Sequence, residues 1–200
     1  NFEAYPSITD FHFGYFDPAG RQLYTFFQDG EAVRLMTEGT RAIMFQSARE
    51  TTRAEPDFPG WLIMGLAEYM SGAMKGGPGA PEFEPKRRIP HYFDLLVNEE
   101  KPHGVVRVLN LQVSDFLASS RLQQKYAEAY TFTYFLLHSG NSDIERGFWR
   151  FLRSAYDRKG SMSHFKNAMK VRKLDALEQK WMDFVKLEGT LPPPGHRRGG

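Results

Sequence analysis

The chain has 200 residues, with 26 Lys and Arg against 24 Asp and Glu, 17 Phe, 9 Tyr, 3 Trp and no Cys. That suits one domain with a sizeable aromatic core, and it excludes a disulfide framework and thiol catalysis. The near-balanced charge gives no reason to expect nucleic acid or another strongly charged partner, and no apolar run approaches the roughly 20 residues that span a bilayer.

In chain order, Phe11, Phe13 and Tyr15 alternate, Asp17-Pro18-Ala19-Gly20 makes a turn, and Gln22 to Phe27 resumes with strand-forming residues. A hairpin is the simplest reading. Residues 31–52 have a helical period, with Val33, Met36, Thr40, Ile43 and Met44 expected on one buried face. Gly39 inside this helix costs roughly 1 kcal/mol relative to Ala, which suggests that something packs close to its backbone. Pro56, Pro59 and Gly60 break the pattern, and a second helix of about 61–70, apolar on most sides, follows.

Residues 71–90 read as loop, and their Lys86-Arg87-Arg88 run as solvated, since a nucleic-acid surface needs more basic residues with aromatics between them. Residues 89–99 look helical, and Val105 to Leu111 suits a short helix better than a strand. Residues 120–138 form a strong helix, with Leu122, Tyr126, Ala129, Tyr130, Thr133 and Leu137 on one side and Gly140-Asn141 stopping it. Ser142-Asp143 can cap a helix to Asp157, and Ser161 or Ser163 one to Met169. The last helix, 174–187, turns Leu174, Leu177, Trp181, Phe184 and Val185 inward. The expected organisation is one domain over 1–190 with a mobile tail at 191–200. The chain starts without Met and ends in PPPGHRRGG, and so reads as a piece of something longer.

Two stretches near the centre carry a resemblance. Thr37-Glu38-Gly39-Thr40-Arg41, followed by Ala-Ile-Met-Phe-Gln, looks like the HEGTH helix of zinc peptidases. Pro59-Gly60-Trp61-Leu62-Ile63-Met64-Gly65-Leu66-Ala67-Glu68-Tyr69 looks like the P-x-W-L-x-E-G-L-A-E-Y segment of the peptidase-MA-like, gluzincin-type family, the DUF1570 group. The run from Tyr126 to His138 resembles that family's downstream Y-A-x-A-W-x-L-x-x-F-L-L helix, so the likeness extends from about Gly14 to Leu187.

The resemblance implies an α+β, mainly helical, zincin-like metallopeptidase fold with a small N-terminal β-sheet or hairpin. In that family two His of HExxH and a Glu from the W-L-x-E-G run hold zinc, the His at i and i+4 on one helix face. Here Thr37 and Arg41 stand at the two His positions and Met64 at the Glu position, while Glu38 keeps the place of the general base. A guanidinium and a thioether do not suit Zn²⁺.

The implied function is a catalytically inactive relative of a zinc metallopeptidase. It would hold no metal or cofactor and serve as a peptide- or protein-binding or structural module of a larger bacterial, extracytoplasmic (secreted or envelope) protein. The alternative is an active hydrolase that uses an unrecognised metal site or metal-independent chemistry at Glu38. Glu38 also suits an ion pair with Arg41 or Arg34, and Arg41 either replaces the lost cation beside Glu38 and Glu68 or points to solvent. Glu68, Tyr126 and Tyr130 are the groove candidates; a Tyr hydroxyl can stabilise an oxyanion, and core packing is the competing reading. His12, His91, His103, His138, His164 and His196 show no i,i+3 or i,i+4 pair, and there is no G-x-S-x-G or phosphate-binding glycine loop.

Overall fold

The computed structural model describes residues 14–17, 22–25, 39–40, 42–44, 58–73, 96, 104–116 and 121–190. Described residues are mainly helical. Two short strands, β1 (Gly14–Asp17) and β2 (Gln22–Thr25), pair antiparallel, with Tyr15 opposite Tyr24 and Phe16 opposite Leu23. Of the expected turn, Asp17 ends β1 opposite Gln22, and residues 18–20 lie outside the described set. The helices with described bounds are α1 (Gly60–Ala73), α2 (Val105–Leu109), α3 (Leu122–His138), α4 (Ser142–Tyr156), α5 (Met162–Met169) and α6 (Asp175–Thr190), with a 3₁₀ turn at Val113–Phe116.

Helix α3 is the axis of the molecule. Its middle is buried on every side, from Ala127 through Thr133, rather than along the single stripe expected. The reason is its neighbours: α1, α4, α6 and the 3₁₀ turn all pack on it. Their aromatic side chains meet at Trp61 and Phe132. The Trp61 ring lies 5.4 Å from Phe132, stacks parallel to Phe151 at 6.0 Å and meets Phe165 edge-on at 6.0 Å. Phe132 in turn meets Trp181 edge-on at 5.1 Å. One residue from each of α1, α3, α4, α5 and α6 thus enters a single aromatic cluster, and α6 buries Leu177, Trp181 and Val185 as its period requires.

Glycine lets α1 and α3 touch backbone to backbone. A Cβ at Gly65 would lie 2.5 Å from the Ala129 carbonyl oxygen and 2.2 Å from Thr133 Oγ1. Side chains and turns set the helix ends. The Asn141 side chain accepts from the N–H groups of Asp143 and Ile144, so Asn141 caps α4 in place of the expected Ser142 or Asp143. Ser161 caps α5, and α5 ends on Lys170 in the left-handed conformation, whose N–H donates back to Asn167. A carboxylate from α6 caps α2: Glu178 Oε2 accepts from Val105 N at 2.9 Å, and Gly104 leaves room for it.

Some expectations change. Residues 39–40 and 42–44 are helical as expected, but Ile43 is 63% exposed while Ala42 and Met44 are buried. That helix turns two flanks inward, at Ala42 and at Met44, and leaves the Ile43 edge to solvent. Among the described residues nothing lies within 4 Å of a Cβ built at Gly39. Helix α1 runs through Gly72 to Ala73, beyond the expected loop start at Ser71. Helix α2 stops at Leu109, where the N–H groups of Asn110 and Leu111 turn to the carbonyls three residues back, and the Leu111 carbonyl accepts from Trp61 N. The remainder of residues 31–52, the basic run at 86–88 and the tail at 191–200 lie outside the described residues; of residues 89–99 Leu96 is described, and it is buried.

Candidate functional site

The three positions at the start of the peptidase-like motif, Thr37, Glu38 and Arg41, lie outside the described residues. The rest of the expected site can be placed. Met64 is on the inner side of α1 and only 2% exposed, as part of the continuous apolar core. Glu68, one turn further along α1, is half-buried. Tyr130 is fully buried on α3, with its ring 5.9 Å from Tyr134. Tyr126 is half-buried and meets Phe116 edge-on at 5.2 Å. Tyr126 thus packs against the 3₁₀ turn, and Tyr130 packs against Tyr134 of its own helix. Glu128, fully buried on α3, is a carboxylate that the sequence reading did not single out.

The structure also gathers a group that sequence reasoning missed. At the C-terminal end of α3, His138 Nε2 lies 2.9 Å from the Tyr69 hydroxyl of α1. The Tyr134 ring stands one turn back from His138 on α3, 4.6 Å from its ring and 6.2 Å from that of Tyr69. Tyr134 and His138 share a helix face at i,i+4, which was legible; Tyr69 is 69 residues away and was not.

Burial lowers the His138 pKa below its ordinary 6.5, and the charges of Glu145 and Glu188 oppose that shift. Burial, and then the neighbouring Tyr134, raise Tyr69 above its ordinary 10.0. At neutral pH both groups are therefore uncharged. Tyr69 can donate to Nε2 with the imidazole proton on Nδ1, and a protonated His138 would reverse the direction of that bond. The pair joins the ends of α1 and α3 by a neutral hydrogen bond, and it is not a charged acid–base dyad. Among the described residues, no group of three or more His, Asp or Glu is arranged to hold a metal ion.

No family model, curated protein or solved structure matches this chain.

The His138 environment makes stability depend on pH. The unfolded chain takes up the imidazole proton near 6.5, whereas folded His138 takes it up only at lower pH. Between those values the unfolded state binds more protons. The contribution is thus present above 6.5, falls as the solution is acidified through that value, and levels off below the folded pKa. Urea unfolding at a series of pH values is expected to show this slope, and His138→Gln to remove it. Equal slopes in the two proteins would contradict it. Tyr69 acts at the other end, where stability falls as pH rises above 10.0.

Proposed function

We propose that this domain is a non-catalytic relative of the peptidase-MA-like zinc metallopeptidases, which keeps the fold and has lost the ion. In this reading β1 and β2 are the small sheet of a zincin-like domain, with β2 as the strand beside a peptide groove. The domain then binds a peptide or protein segment, or serves as a structural module, within a larger extracytoplasmic bacterial protein.

The observation that carries the reading is Met64. At the position where the resemblance calls for a ligand carboxylate, α1 presents a thioether enclosed by the apolar core. A carboxylate there would need a cation or hydrogen-bond donors to offset its burial, whereas a methionine fills the space as a packing residue. Thr37 and Arg41 at the His positions agree with it in chemistry. The test is elemental analysis of protein purified without chelator. No stoichiometric zinc is expected, and one tightly held zinc per chain would overturn the reading.

A further inference from the structure

The near-neutral total charge conceals a strong asymmetry. Residues 142–173 hold nine Lys and Arg against three Asp and Glu, leaving 17 against 21 for the rest of the chain. No Asp or Glu occurs between Asp157 and Asp175. This segment is α4 and α5 with the turns that follow them, and the two helices pack together through Phe151 against Phe165 at 5.1 Å.

Three of those nine basic residues, Arg146, Arg150 and Arg153, lie on the outer side of α4 around an exposed indole, on a helix that also carries Asp143 and Glu145. Ile144, Gly147, Phe148, Phe151 and Ala155 turn inward, which leaves Arg146, Trp149 and Arg153 in line on the opposite side at i, i+3 and i+7. Trp149 is 57% exposed, whereas Trp61 and Trp181 are fully buried. Arg150, beside this line, is fixed by two hydrogen bonds to the Ala168 carbonyl at 3.0 and 2.7 Å, which directs it toward the α5 end where Lys170, Arg172 and Lys173 follow. Arg146 meets Asp143 at 2.7 Å, but both side chains are well exposed, so this pair exchanges readily for another carboxylate.

We infer that the α4 face centred on Trp149 docks an acidic protein segment, of a kind that places an apolar side chain on the indole and carboxylates on the flanking arginines. The line from Arg146 to Arg153 spans about two helical turns, roughly 10 Å, the length over which one amphipathic helix reads another. Arg and Trp are the side chains that most often anchor such contacts, and guanidinium groups match carboxylates in pairs. A single-stranded nucleic acid needs a series of stacking rings, and Trp149 is the one well-exposed aromatic among the described helices. The inference rests on the reading of the domain as a binding module, and it does not depend on the loss of zinc.

The test uses the whole chain and a synthetic helical peptide with glutamates flanking a leucine stripe. Acrylamide quenching of indole emission gives the readout, since Trp149 is the accessible indole of the three. Saturable protection by the peptide is expected, weakened at least about tenfold by a glutamate-to-glutamine version of the peptide or by Arg146→Glu with Arg153→Glu, and weakened by salt. These exposed substitutions leave the core intact, which far-UV circular dichroism checks. Absence of saturable protection would overturn the inference, as would equal binding by the charge-reversed protein. So would tighter binding of oligothymidylate or phosphatidylserine vesicles than of the peptide. Zinc content is measured separately, so a failure here is distinguishable from a failure of the metal-free reading.

Discussion

Trp61→Ala is expected to remove about 3–5 kcal/mol of stability, the range found when a large buried aromatic is truncated in a core. Trp61 is fully buried and meets rings from α3, α4 and α5, so the loss opens a cavity at the point where those helices converge. Such a loss is a large fraction of the roughly 5–15 kcal/mol that holds a domain folded. Urea unfolding should show a lower midpoint with an unchanged slope. Trp61→Phe should cost much less. It keeps a ring in the cluster and deletes the indole Nε1–H, which is buried without a hydrogen-bond partner among the described residues. A loss below about 1 kcal/mol for Trp61→Ala would show that the cluster does not organise the helices.

Gly60→Ala is expected to be nearly as damaging, at about 3 kcal/mol, the upper end for overpacking. A Cβ at Gly60 would lie 2.1 Å from the Gln112 carbonyl carbon and 2.4 Å from Val113 N. Both are backbone atoms, and hydrogen bonds hold their turn. Leu111 O accepts from Trp61 N at 3.2 Å, Asp115 accepts from Gln112 N at 2.8 Å, and Gln112 Nε2 donates to Asn110 O at 3.2 Å. The turn cannot withdraw without breaking some of these bonds. Thermal unfolding checks the effect, and an unchanged midpoint would mean that the 110–113 turn moves aside at little cost.

Much of this fold was legible because the local signals agree with the packing. In α6, Leu177, Trp181 and Val185 recur at helical spacing and are buried, with Phe184 half-buried beside them. Ser161 and Ser163 both suit the cap of α5 by spacing, and geometry selects Ser161, whose side chain accepts from His164 N. Asn141, Ser142 and Asp143 are three adjacent cap formers, and spacing alone cannot choose among them; geometry can, because the Asn141 oxygen reaches two N–H groups. Ile43 fits the helical period yet faces solvent, because which edge of a helix is covered depends on neighbours the period does not record. The same holds for α3, where the expected stripe is part of a helix wrapped on all sides. Met64 and Glu68 enter the candidate site through the sequence resemblance alone, whereas Tyr69 meets His138 only through the crossing of α1 and α3. The basic segment was visible as composition but averaged away in the net charge of the whole chain.

The proposed loss of a metal site leads to the most direct measurement. Thr37→His, Arg41→His and Met64→Glu together would restore the ligand set to which the sequence is similar. A lone buried carboxylate at position 64 should destabilise the domain, and zinc should recover that loss by binding the folded state. The measurement is zinc per chain together with the unfolding temperature, with and without zinc, for the triple variant and the unaltered protein. The expected result is one zinc per chain and a raised unfolding temperature in the variant, with neither in the unaltered protein. A tightly held zinc in the unaltered protein, or a folded triple variant that takes up none, would contradict a peptidase-like domain that has lost its ion.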